Sequence, residues 1–212
     1  MRTADHIELL ARDVRATPPG VVNSRLLAAL VAGGAVTLAI VALGLHCQPL
    51  LAAAQQSWFW MKATYTGLLT IAGIVIVRRL SVPGAKVGMA PRAATVIVAV
   101  MIILGATQVL SATPTARVAL WLGHTWKVCS PLIVLLAIPI YACLIAAIRS
   151  LAPTRPARAG AAAGFVAGAL AATFYGLHCP EQAAVFVVTW YTLGIGAATA
   201  LGALAGSRLL RW

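Results

Sequence analysis

Six stretches of the chain are long and apolar enough to cross a bilayer: residues 26–45, 58–77, 93–112, 128–148, 160–177 and 185–206. A spanning helix needs about 20 predominantly apolar residues. The last two stretches are rich in Gly and Ala and only mildly hydrophobic, but each is uncharged from end to end. The polar residues between the stretches fall into two classes. One set of connections carries Arg2, Arg12, Arg15 and Arg25, then Arg78, Arg79, Lys86 and Arg92, then Arg149, Arg155 and Arg158, and finally Arg208 and Arg211. The alternate set carries only Lys62, Arg117 and Lys127. Basic residues accumulate in cytoplasmic loops, so the first set and both termini are expected in the cytoplasm. Trp58, Trp60, Trp121, Trp126 and Trp190 lie at the opposite boundary and Trp212 at the inner one, as indole rings favour the interface. The pattern predicts an all-α integral membrane protein: a bundle of six transmembrane helices, laid out as three consecutive hairpins.

Small residues recur at every fourth position in the fifth stretch (Gly160, Gly164, Gly168, Ala172, Gly176) and in the sixth (Gly194, Ala198, Gly202, Gly206). Such stripes let two backbones approach closely, and dispersion contacts drive helix association in lipid. The fifth and sixth helices are therefore expected to form a tight antiparallel pair. Pro139 falls inside the fourth stretch, removes a backbone donor and is expected to kink it. A short echo links two other points: Gly44-Leu45-His46-Cys47 recurs as Gly176-Leu177-His178-Cys179, each at the end of an outward-running helix.

Ahead of the first stretch, residues 3–16 read as a short helix. Thr3 can serve as N-cap with Asp5 in the first turn. Ile7, Leu10, Ala11 and Val14 share one face at helical spacing, and Asp5, Glu8 and Asp13 decorate the rest. Pro18-Pro19-Gly20 then makes a joint before the membrane. A helix this short needs a partner to be stable. Three of the four acidic residues of the chain lie here; next to an anionic leaflet they suit a basic protein groove better than lipid. The chain thus divides into a cytoplasmic partner-binding segment, residues 1–25, and a transmembrane sensor domain, residues 26–212.

Composition closes off other classes. Of 212 residues, 61% are hydrophobic and 9% charged, where a soluble domain carries about 25% charged residues. The net charge of +12 is accounted for by topology and gives no reason to expect nucleic acid as a partner; membrane lipid is the expected surroundings. The mixed-charge residues before the first stretch do not read as a cleavable signal peptide.

Four cysteines remain: Cys47, Cys129, Cys143 and Cys179. None forms a Cys-x-x-Cys motif, so a disulfide exchanger is unsupported, and no catalytic signature marks an enzyme. Cys143 lies 14 residues beyond Cys129, about 21 Å deeper along a helix, and reads as a buried hydrophobe. Cys47, Cys129 and Cys179 fall near outer helix ends, with His46, His178 and His124 close in sequence and Glu181 just beyond. Thiolate and imidazole are ligands for zinc-like and soft metals, so three readings stay open: a regulatory metal site, a disulfide in an oxidising compartment, or unrelated cysteines that merely lie near helix ends. Glu181 is a further ligand or a partner for Lys62 or Lys127. No cofactor is required.

These residues resemble a known family. Leu151-Ala152-Pro153-Thr154-Arg155-Pro156 followed by Ala159-Gly160, Tyr175-Gly176-Leu177-His178-Cys179-Pro180-Glu181, Trp190-Tyr191 and Leu209-Leu210-Arg211-Trp212 are similar to the NrsF-type negative regulators of sigma F, which are multi-pass membrane anti-sigma factors. Leu9-Leu10-Ala11, Trp60-x-Lys62 and Cys129 with Pro139 match more weakly. The resemblance implies six helices in a bacterial inner membrane. It also implies an N-terminal segment that holds an extracytoplasmic-function sigma factor, and two periplasm-facing cysteines tied to its release under heavy-metal or oxidative stress. At matching positions these are Cys129 and Cys179. Cys47 lies outside that pattern, and the repeated Leu-His-Cys makes it a candidate third member.

The main rival is a transporter or channel for a small solute or metal, supported by Lys62 and Lys127 near the outer boundary. Both read better as snorkelling to the surface. A transporter would be expected to carry polar residues at mid-membrane, where this chain offers only Thr37, Thr70 and Gln108.

Overall fold

A computed structural model describes residues 20–82, 87–151 and 153–211. The expected tail helix, with Asp5, Ile7, Glu8, Leu10, Ala11, Asp13 and Val14, lies outside the described residues, as does Trp212. Among the described residues six helices are long and apolar enough to cross a membrane, and no strand occurs.

Helix α1 spans Val21–His46, and its last turns, from Ile40, are wound as a π-helix. It starts directly after Gly20, whose φ of 97° suits glycine. A single turn, α2 (Leu50–Ala53), leads to α3 (Ser57–Leu80). Then follow α4 (Ala90–Ser111), α5 (Pro114–Leu122), α6 (Trp126–Arg149) and α7 (Pro156–Tyr175). The last helix, α8 (Ala184–Leu209), contains a π turn at Val187–Tyr191. The spans run a few residues past the apolar stretches. Arg78, Arg79, Arg149 and Arg208 occupy last turns, where their charge complements the exposed carbonyls. Helix α5 was not expected. Its nine residues include none that is buried, so an apolar-run reading passes over it; Pro114 pre-sets its first turn and Gly123, with φ 55°, stops it.

Helix α7 is the hub of the bundle and packs against α8, α3 and α6. The pairing is not purely sequential, because α1 lies mainly against α6. There Gly33 abuts the backbone of Pro139 and Ile140, and the Thr37 hydroxyl donates to the Leu136 carbonyl at 3.0 Å, in the turn where Pro139 interrupts the hydrogen-bond ladder. At the far end the Arg25 guanidinium donates to the Ser150 hydroxyl at 2.6 Å.

Helices α7 and α8 meet along a glycine seam and run antiparallel. A Cβ on Gly160 would overlap the Gly202 carbonyl and fall 2.6 Å from the Gly206 Cα; on Gly164 it would overlap the Ala198 carbonyl. On Gly168 it would fall 3.0 Å from the Ala198 Cβ. Two members of the expected stripes lie off this seam. Gly194 faces Ile133 of α6, and Gly176 faces the Thr173 carbonyl of its own last turn. Four residues overshoot one helical turn by about 40°, so a strict every-fourth stripe drifts off the contact face at its ends.

Candidate functional site

The ends of α1, α3, α6, α7 and α8 remote from Arg149 and Arg208 converge on Cys179. After Tyr175 the chain continues in tight turns, with the Cys179 amide donating to the Tyr175 carbonyl at 3.0 Å; Pro180 prevents the helix from going on. Cys129 sits in the first turn of α6, its amide donating to the Thr125 carbonyl at 3.0 Å. Both cysteines are 0% exposed and both are free thiols.

The two buried thiols lie close enough to interact with each other. The Glu181 amide donates to the Cys179 sulfur, and the Thr125 hydroxyl lies 4.0 Å from it. The Tyr175 hydroxyl reaches both sulfurs. Tyr191 is fully buried beside the pair, and its hydroxyl has no hydrogen-bond partner. The π turn ending at Tyr191 sets this register; such turns re-aim side chains where a regular helix would not. The neighbouring Cys129 thiol, with a smaller contribution from the charge of Lys62, holds the Cys179 thiol below the usual thiol range against the opposing effect of burial.

Lys62 overturns its sequence reading. It does not snorkel: it is 2% exposed, and its ammonium donates to the Cys179 carbonyl at 2.7 Å while lying 4.5 Å from the Trp58 ring centroid. The same carbonyl accepts from the Gln48 side chain at 2.5 Å. Lys127 is exposed, 5.5 Å from the Trp126 ring.

Glu181 pairs with neither lysine within 4 Å. Its Oε1 accepts from the His124 amide at 2.7 Å, the Thr125 amide at 3.1 Å and the Thr125 hydroxyl at 3.2 Å. The carboxylate packs onto Gly123, where a Cβ would collide with it. Glu181 thereby joins the Cys179 segment to the start of α6.

The remaining expected ligands are placed elsewhere. The His124 side chain is 98% exposed, and His46 is exposed with φ 63°. The His178 Nδ1 hydrogen-bonds the His46 carbonyl at 2.9 Å, and the Gln48 amide donates to the Leu177 carbonyl at 3.0 Å. The two copies of Leu-His-Cys therefore lie side by side, held through the backbone. Cys47 is half-buried beside the Cys179 segment, and Cys143 packs against the core. Among the described residues no three His, Cys, Asp or Glu side chains converge as a metal-binding set. The expected metal site of Cys47, Cys129, Cys179, His46, His124, His178 and Glu181 is thus not assembled: Glu181 is committed to the His124 and Thr125 amides and the His178 ring to the His46 carbonyl.

Nothing in the local sequence marks Tyr175, Tyr191, Thr125 and Gln48 as parts of this site. The spacing Trp58-x3-Lys62 was a usable signal, since it stacks indole and ammonium on one helix face. Gln108 also proves structural: its Oε1 accepts from the Ala184 amide at 2.8 Å and from Val185 at 3.4 Å, capping α8.

A family model described as NrsF, negative regulator of sigma F, matches residues 10–212. An anti-sigma-F factor NrsF of Caulobacter vibrioides is 41% identical over 217 residues, covering 100% of both chains. A probable anti-sigma-F factor NrsF of Azospira oryzae is 39% identical over 213 residues, again covering 100% of both. No solved structure matches.

Proposed function

This chain belongs to the NrsF family of negative regulators of sigma F and is an anti-sigma factor; from that premise we propose that residues 1–25 hold an extracytoplasmic-function sigma factor at the cytoplasmic face of the bacterial inner membrane, and that oxidation of Cys129 and Cys179, facing the periplasm, releases it. The single observation that carries the oxidative switch is the contact between two buried free thiols. The basic residues at the opposite helix ends support the sidedness.

Two thiols with no third converging ligand do not fit a three- or four-coordinate ion. The pair does suit a disulfide. An S–S bond is about 2.05 Å long, shorter than any hydrogen-bonded thiol contact, so its closure displaces the Cys179 segment. That segment is tied to α3 through Lys62, to the turn after α1 through Gln48 and to the start of α6 through Glu181. An effector acts only through its differential affinity for two states, and a tenfold loss of sigma binding needs about 1.4 kcal/mol. Transport is the weaker reading. Thr37, Thr70 and Gln108 are all engaged in bonds to helix backbones, which leaves none of the three polar positions to line a path.

The test replaces Cys129 and Cys179 by Ser together and follows a sigma-dependent reporter. The expected result is repression that oxidant no longer relieves; normal induction removes the switch assignment. Deleting residues 1–25 should abolish co-purification of a sigma factor from membranes, and undiminished capture removes the tail assignment.

A further inference from the structure

We infer that α1 is the element that carries the state of the thiol pair to the tail, and that His178 and Gln48 are the positioning residues that couple α1 to it, a route that rests on the oxidative reading of Cys129 and Cys179.

Helix α1 is held from both sides of the pair. Its outer end is tied to the segment that carries Cys179. The His178 Nδ1 hydrogen-bonds the His46 carbonyl at 2.9 Å, the Gln48 amide donates to the Leu177 carbonyl at 3.0 Å, and the Gln48 side chain donates to the Cys179 carbonyl at 2.5 Å. Its body is tied to α6, the helix that carries Cys129. The Thr37 hydroxyl donates to the Leu136 carbonyl at 3.0 Å, and a Cβ on Gly33 would fall 2.6 Å from the Ile140 Cα. At the inner end the Arg25 guanidinium donates to the Ser150 hydroxyl at 2.6 Å, just past the last residue of α6. Any displacement of the Cys179 segment against α6 therefore pulls on two anchors of one helix.

Other helices near the pair are placed differently. Helix α3 is also tied to the Cys179 carbonyl, through Lys62, but it packs mainly on α7 and α4. Helix α1 is the one that follows residues 1–25 directly in the chain. The repeated Leu-His-Cys acquires a use in this arrangement. One copy ends α1 and the other follows α7, and each offers backbone carbonyls to the His or Gln of its counterpart. The register between the two ends is thereby set by the backbone.

The outer end of α1 is also its least regular part. From Ile40 to His46 it is wound as a π-helix, a rare form that occurs mostly at functional sites. Among the described residues His46 is the one residue other than glycine with a positive φ, 63°. A side chain makes that conformation unfavourable, and it persists only where the surroundings hold it. The His46 side chain is exposed, so its own packing does not supply the hold. The bonds made by His178 and Gln48 do. When the Cys179 segment moves, these bonds loosen, His46 relaxes to an ordinary φ, and the end of α1 rewinds and shifts against α6. The joint thus has two arrangements, and the disulfide biases one of them. Closing the disulfide removes two electrons and two protons from the thiols; hydrogen peroxide accepts both and leaves as two molecules of water.

The experiment uses the full chain in cells treated with hydrogen peroxide. Disulfide closure is read as loss of maleimide labelling at Cys129 and Cys179 after denaturation, and release as activity of the sigma-dependent reporter. In wild-type protein peroxide should close the disulfide and raise the reporter. In the Gln48→Ala, His178→Ala double variant the disulfide should close as before and the untreated reporter should stay low, while induction falls about tenfold, equivalent to about 1.4 kcal/mol of lost coupling. His178→Ala alone should lose part of the induction, and His178→Asn, which places an amide N–H where Nδ1 stood, should recover it. Full induction in the double variant overturns the route. So does a disulfide that no longer closes there, because the bonds would then serve the thiols and not α1. If the variants lose repression before any treatment, hydrogen–deuterium exchange of the wild-type chain decides. Oxidation should accelerate exchange of the Gln48 amide, and an unchanged rate overturns the route. Wild-type protein in which peroxide closes no disulfide sinks the oxidative reading itself, and the route with it.

Discussion

Replacing Glu181 with Ala removes one carboxylate oxygen that accepts two backbone amides and one hydroxyl. Glu181 is 9% exposed, so water replaces these bonds poorly. A hydrogen bond to a charged acceptor contributes about 1.5–3 kcal/mol. Taking the lower bound for each of the two amides gives a loss of about 3 kcal/mol in the local stability of the turn joining α5 to α6. Each 1.4 kcal/mol is a factor of ten in the opening equilibrium, so exchange of the His124 and Thr125 amides should accelerate about a hundredfold. Glu181→Gln keeps an acceptor without its charge and should fall between. Hydrogen–deuterium exchange of the purified full chain in nanodiscs, read at residues 123–126, is the assay. Because the same carboxylate ties Cys179 to the start of α6, the Ala variant should also raise unstimulated sigma activity. Unaltered exchange at 124 and 125 in Glu181→Ala would refute the assignment of this carboxylate as the tie.

The glycine seam and the cap on α8 lead to two more expectations. Gly160→Leu drives a side chain into the backbone of Gly202 and Gly206, which cannot swing aside, and should cost about 3 kcal/mol, the upper part of the range for overpacking. Gly196→Leu meets nothing within 4 Å and should leave thermal stability in detergent unchanged; equal melting of the two variants would contradict the seam. Gln108→Leu strips the acceptor from the first amides of α8 and should cost about 1–2 kcal/mol, seen as faster exchange at Ala184 and Val185 with the centre of α8 protected as before. No change there would show that the cap is not needed.

What the sequence determined by itself is the architecture. Lipid admits only segments whose backbone is internally bonded, so six long apolar runs become six helices whatever their neighbours are. The placement of Cys129 and Cys179 near helix ends was equally legible, and so was the antiparallel pairing of the last two helices, because small residues at every fourth position leave few other uses for that face. The partners of each polar atom were decided only by the tertiary structure. Lys62 reads as a surface cation along the chain, yet α7 and its turn bring the Cys179 carbonyl over it. Glu181 reads as a ligand, yet the backbone of His124 and Thr125 claims it first. Hydrophobic periodicity reports which side of a helix is buried. It carries no information on which of several buried groups, some 50–130 residues apart along the chain, will be within 3 Å of one another, and the chemistry of the thiol pair depends on those distances.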